Sequence, residues 1–206
     1  MYIPKQYLLE DREEAVAFMK AYPFAAVITA KDDLPTVTHI PLVVSEEKGG
    51  LVLTGHFSKA NPQWQEMESE KVLVVFTEPH AYISPSHYDS EMSVPTWNYI
   101  AVHAYGKGEI VTGAEEVSTA LKDMISTYEK AYETQWNSLP EAFKTKMMNG
   151  IVCFRIIVTG LQAKKKLSQN KNEHERERII LALEHGQTET ERTLAAYMKQ
   201  NEATLK

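Results

Sequence analysis

A hydroxyl, an ammonium and a helix start fall together in Thr54-Gly55-His56-Phe57-Ser58-Lys59-Ala60-Asn61-Pro62-Gln63-Trp64. The run lies where a strand ends and a short helix is expected over residues 62–67. Free backbone N–H groups at a helix start, with a cation beside them, suit an anion such as phosphate. In that chemistry Lys59 neutralises charge and Ser58 donates a hydrogen bond. An ordinary strand-to-helix capping loop gives the same pattern, so spacing alone leaves both readings open.

His39, in Thr38-His39-Ile40-Pro41, is a second candidate. A proline inside a strand marks an edge, a bulge or a place where a ligand meets the backbone; a hydrogen-bonded core histidine is the plainer reading. A third stretch, His80-Ala81-Tyr82-Ile83-Ser84-Pro85-Ser86-His87-Tyr88 and then Val94-Pro95-Thr96-Trp97-Asn98-Tyr99, is dense in aromatics around a long loop. Loops of that length are usually functional. Asn98 alternates with Trp97 and Tyr99 and so faces the other side of the strand. Such a cluster suits a flat heterocycle, a dimer interface or plain core packing. The seven histidines do not take zinc-site spacing, so no metal is expected. There is no G-x-S-x-G, no G-x-G-x-x-G and no P-loop, and the catalytic residues are unknown.

These side chains need a scaffold. Asp11 and Glu14 read as a capping box, followed by a helical face of Ala15, Phe18, Met19 and Tyr22. Strands are expected over residues 24–30, 35–44, 51–57, 71–78, 81–83, 97–111 and 151–162, and helices over 114–132, 140–148, 173–184 and 190–200. Hairpin-length connections point to a small antiparallel barrel rather than a parallel sheet.

The 206 residues are 43% hydrophobic and 24% charged, ordinary for one packed domain. The single cysteine, Cys153, sits in the apolar run Ile151-Val152-Cys153-Phe154 and reads as a buried thiol. Met1-Tyr2-Ile3-Pro4-Lys5 has no signal-peptide pattern, and no apolar run nears the roughly 18 residues of a membrane helix. A cytoplasmic location is expected. Net charge is −6. Residues 1–160 carry 13 basic and 21 acidic side chains, and residues 161–206 carry 9 and 7. The acidic balance opposes direct DNA contact, and no helix-turn-helix with a basic recognition helix is visible.

Taken in order, several blocks resemble the PaiB family, described as FMN-binding negative transcriptional regulators. They are Met1–Lys5, Gly55-His56 with Ala60-Asn61-Pro62-Gln63-Trp64, the segments His80–Pro85 and Val94–Tyr99, Val102-His103, and Lys166-Leu167-Ser168-Gln169-Asn170. The resemblance covers residues 1–185. It implies an α+β fold, a six-stranded antiparallel split β-barrel with peripheral and C-terminal helices. It also implies a homodimer holding FMN in a groove between subunits. The domain would span residues 1–170, with residues 171–206 a C-terminal helical extension packed on it. Lys59 and Ser58, with His56 nearby and Asn61 in the same block, would hold the phosphate. The Thr38-His39-Ile40 backbone would lie along the isoalloxazine. Trp97, Asn98 and Ser84 of the partner subunit would complete the site, with Lys166 and Gln169 as further candidates. Where the family often has Ala-Arg-Ala-Asn-Pro, this chain has Ser58-Lys59-Ala60-Asn61-Pro62, a point charge in place of a bidentate fork.

Three functions stay open: a flavin-dependent repressor linked to sporulation and degradative-enzyme production, a flavin oxidoreductase, and a protein that holds flavin without turnover. A missing catalytic motif decides little, because in flavin proteins the cofactor carries the chemistry.

Overall fold

The computed structural model describes residues 1–204. A helix α1 (Arg12–Ala21) precedes four strands, β1 (Phe24–Lys31), β2 (Leu34–Pro41), β3 (Val43–Glu47) and β4 (Gly50–Ser58). Then come β5 (Lys71–Ile83), β6 (Thr96–Ile110), helices α2 (Ala114–Tyr128), α3 (Tyr132–Ser138) and α4 (Glu141–Met148), and β7 (Ile151–Lys166). Helices α5 (Glu173–Glu184) and α6 (Glu189–Thr204) follow.

The fold is mainly β with helices, but the expected six-stranded barrel is corrected. Seven strands form one sheet in the order β2-β1-β5-β6-β7-β4-β3, and among the described residues it does not close. The reason lies at Pro41-Leu42. The single strand expected over residues 35–44 pairs with β1 only as far as Pro41, which has no N–H to continue a ladder. The Leu42 N–H instead donates to Pro23 O at 3.0 Å. From Val43 on, the chain pairs with β4. One residue therefore joins the two edge strands of the order, with no ladder between them. Two other expectations change: residues 71–83 form one strand through Pro79, and the helix expected over 114–132 breaks after Tyr128, where Glu129 leaves helical backbone at φ −153°.

The chain forms two compact units. One comprises Val16–Phe76 and His103–Leu161. Along β4, Leu51, Leu53 and Phe57 are buried, with Phe57 against Phe154 at 4.7 Å between ring centroids. Gly55 belongs there because a Cβ would meet Leu42 Cδ2 at 2.7 Å and Phe154 Cζ at 2.8 Å. The opposite β4 face carries Thr54, His56 and Ser58, as strand alternation requires.

The second unit comprises Met1–Ala15, Thr77–Val102 and the described residues from Gln162 on. It contains α5 and α6, the helices expected as an extension over 171–206; residues 205–206 of that expectation lie outside the described residues. Ile179, Leu183, Leu194 and Met198 are buried, each worth about 1.5–3 kcal/mol of transfer free energy. α5 starts on a capping box: Asn172 Oδ1 accepts from Glu175 N at 2.9 Å and Glu175 Oε2 accepts from Asn172 N at 3.2 Å. Glu175 Oε1 also accepts from Asp89 N at 3.0 Å, and Arg178 donates to His87 O at 2.9 Å and to Asp89 at 2.6 Å. Those bonds fix the loop after β5. No helix among the described residues is long and apolar enough to cross a membrane.

Candidate functional site

The turn after β4 is closed by its own backbone. Lys59 N donates to Gly150 O at 2.9 Å, and Asn61 N to Ser58 O at 2.9 Å. Ala60 N reaches Ser58 Oγ at 3.4 Å, and Gln63 N reaches Asn61 Oδ1 at 3.0 Å. The expected helix is a five-residue 3-10 turn, Pro62–Glu66. The free N–H groups expected at its start are therefore already bonded, and an anion here would be held by side chains. Ser58 and Lys59 are both exposed. Among the described residues the Lys59 ammonium has neither a carboxylate nor a hydrogen-bond acceptor, so its charge is free for a ligand.

Behind the turn stands Gln63, which sequence reasoning missed as a functional residue. Its side chain is fully buried. Nε2 donates to Val27 O at 3.0 Å, Thr36 O at 3.1 Å and Thr29 Oγ1 at 3.2 Å, while Oε1 accepts from Thr38 Oγ1 at 2.5 Å. Asn61 Nδ2 donates to the same Thr38 oxygen at 2.8 Å. Thr38 and Asn61, both named from the sequence, are thus brought together, with their polar atoms turned toward Gln63. Only the pattern Asn-Pro-Gln hinted at this, because the partners of Gln63 lie 25 to 36 residues away.

Alternation places His39 on the exposed side of β2, stacked near Phe24 at 6.5 Å. β2 is an edge strand, so one row of its N–H and C=O groups points away from the ladder, as a flat ligand lying along Thr38, His39 and Ile40 needs. His56 is half-buried, its Nδ1 is shut from solvent without a partner among the described residues, and burial holds its pKa below the ordinary value. The ring is neutral near pH 7 and retains one unused nitrogen. Opposite it on β7 stands Cys153, buried, with burial pushing the thiol up to about 11.

In the other unit Trp97 is 53% exposed and meets the His80 and Tyr82 rings at 6.0 Å each. Asn98 faces the opposite way, fully buried: its Nδ2 donates to Ser168 Oγ at 2.9 Å, and Ser168 Oγ donates back to Oδ1 at 3.2 Å. Gln169 closes its own turn, donating to Lys165 O at 2.6 Å and accepting from Leu167 N at 2.7 Å. Lys166 donates to Thr96 Oγ1 and to Trp97 O. Ser84 Oγ caps the turn at Pro85, accepting from Ser86 N at 3.2 Å. Trp97 therefore offers a free aromatic surface, whereas the amides of Asn98 and Gln169 are engaged within their own unit.

A cavity of about 910 Å³ lies against α2, lined by Glu47, Glu109, Glu115, Glu116 and Asp123. Its one cation, Arg155, pairs with Glu47 at 2.5 Å, so the lining repels phosphate. Among the described residues, no group of three His, Cys, Asp or Glu side chains could hold a metal ion. For FMN the donor set fits: an ammonium and a hydroxyl that can still donate to the phosphate, an unused imidazole nitrogen, and an open strand edge for the ring.

Residues 1–160 match the family model described as "Putative FMN-binding domain". The chain is 39% identical over 202 residues to Protease synthase and sporulation protein PAI 2 of Bacillus subtilis, covering 97% of each. Two solved structures share the fold. The flavocytochrome Anf3 of Azotobacter vinelandii has a TM-score of 0.65 at 14% identity, covering 80% of this chain and 72% of that one. The FAD and heme binding protein of Mycobacterium smegmatis has a TM-score of 0.62 at 13% identity, covering 78% and 73%.

Proposed function

The chain belongs to this FMN-binding-domain family, the PaiB family that its sequence blocks resemble, and on that premise we propose that it is a homodimeric, FMN-dependent negative regulator built on this seven-stranded sheet. The phosphate sits against Lys59 and Ser58 with His56 behind them. The ring follows the edge of β2 at Thr38, His39 and Ile40, and Trp97 of the partner subunit covers it, with Ser84 of the partner subunit at the rim. Bound FMN supplies reversible one- and two-electron redox chemistry. What this chain's residues add is placement: Gln63 holds β2 and the phosphate turn in one geometry, and Lys59 supplies the charge. The observation that carries the reading is the unpaired Lys59 ammonium beside Ser58 on a turn locked by Asn61 and Gln63.

The regulatory role is supported by the name of PAI 2, which ties that relative to protease synthesis and sporulation. The acidic charge of −6 favours a readout through a protein partner over direct DNA contact. The test is the visible spectrum of the FMN-loaded protein under excess NADPH without oxygen, with sedimentation run alongside. A dimer whose flavin stays oxidised supports the regulator. Rapid bleaching with steady NADPH turnover on readmission of air overturns it in favour of an oxidoreductase.

A further inference from the structure

A second pocket, of about 390 Å³, lies wholly within the unit that carries the C-terminal helices. That volume suits a small ligand. Its walls include the rings of Tyr7 and Tyr88 and the apolar side chain of Val94; Lys166 and Lys171 line it, and none of its lining residues is acidic. Among the described residues the Lys171 ammonium has no carboxylate and no hydrogen-bond acceptor; it lies 3.5 Å from the centroid of the Tyr88 ring. Lys166 uses two of an ammonium's three N–H groups, on Thr96 and Trp97. Burial and the neighbouring Lys164 hold its pKa below the ordinary lysine value, the mark of a cation short of counter-charge. The Tyr88 hydroxyl is shut from solvent and has no partner among the described residues.

The backbone is also committed to this shape. Ser168 stands at φ +61°, a left-handed conformation that side chains other than glycine rarely adopt. In that position its hydroxyl bonds Asn98 while both residues line the pocket. Strain of this kind persists where the surroundings over-determine it, and it gathers at ligand sites.

We propose that this pocket binds a small anion with a flat apolar body, an aryl carboxylate or aryl phosphate, its charged head held by Lys166 and Lys171 and its ring lying among Tyr7, Tyr88 and Val94. Two lysines without a carboxylate partner select a negative head. The aromatic walls select a flat body over a bare inorganic ion. The phosphate residues proposed for FMN, Ser58 and Lys59, lie in the other unit and do not line this pocket.

Isothermal titration of the full chain, both FMN-free and FMN-saturated, tests this with benzoate, phenyl phosphate, inorganic phosphate and benzyl alcohol. Saturable binding of benzoate or phenyl phosphate, about tenfold or more tighter than inorganic phosphate or benzyl alcohol, is expected in both forms. The tighter of the two aryl anions identifies the head group. Lys171→Met, at a partly exposed position, is expected to weaken that binding about tenfold while leaving FMN affinity unchanged. Lys166→Met is expected to act in the same direction. Absent saturable heat, equal binding of inorganic phosphate, or unchanged affinity in Lys171→Met would each overturn the proposal. Displacement of the aryl anion by FMN, with Lys171→Met weakening FMN as well, would also overturn it by making the pocket part of the flavin site.

Discussion

The hydroxyl of Thr38 donates to the buried carboxamide of Gln63 at 2.5 Å, and that bond ties the exposed edge of β2 to the turn that presents Lys59. The same carboxamide bonds Val27 O on β1 and Thr36 O on β2, so one side chain fixes two strands and the turn together.

Gln63→Leu keeps the volume but removes the buried donor to the Thr36 and Val27 carbonyls and the acceptor of the Thr38 hydroxyl. Buried groups left unpaired cost about 1–3 kcal/mol each, and partial relaxation brings the expected loss to roughly 2–4 kcal/mol in urea unfolding. FMN affinity should fall in the variant that still folds. Unchanged stability would mean that the buried network is not what holds the turn.

Asn98→Ala removes the amide shared with Ser168, and a loss of about 1–3 kcal/mol is expected. Because that amide is fully buried and engaged, FMN affinity of the folded variant should stay within about threefold of the parent. A large loss of FMN with stability intact would return Asn98 to the cofactor site.

The Cys153 thiol gives a pH signature. Burial pushes its pKa up from the ordinary 9.0 to about 11. Between these values the unfolded chain has released the proton that the folded chain keeps, so folding loses stability as pH rises from 9 toward 11. The shift corresponds to a term on the order of 2–3 kcal/mol, fully present below pH 9. Tyr88 and Tyr128, both raised by burial, act in the same direction. Cys153→Val should flatten part of the alkaline decline in a urea series from pH 8 to pH 11. Thiol reagents should label the native protein slowly and the unfolded chain fast.

Much of this architecture was legible in local pattern. The α1 capping position at Asp11, the alternation of β4 and the opposed directions of Trp97 and Asn98 follow from periodicities that reside in a few consecutive residues. The break at Leu42 was not legible. It depends on Pro23, remote in sequence, accepting the Leu42 N–H, and on β4, the next strand, taking over as pairing partner from β1. The candidate residues of the phosphate turn were readable by type. Their division of labour was not, because Gln63 earns its role only when β1 and β2 are already side by side. Likewise Asn98 and Gln169 looked available in a signature block, yet Ser168 and the Lys165 carbonyl occupy them.

Trp97 reports on the proposed dimer. Its exposed ring should be quenched when FMN binds at a partner's β2 edge, and Trp97→Phe should remove most of that quenching while leaving the fold intact. Equal quenching in Trp97→Phe would place the flavin beside Trp64 or Trp136 instead.

The most direct test of the central claim is an FMN titration followed by flavin fluorescence, comparing the parent chain with Lys59→Met, which keeps the stem and deletes the charge. One FMN per chain is expected, with an affinity about 10- to 100-fold weaker in Lys59→Met and a salt dependence largely lost with the charge. Equal affinity in the two proteins, or no saturable binding by the parent, would contradict it.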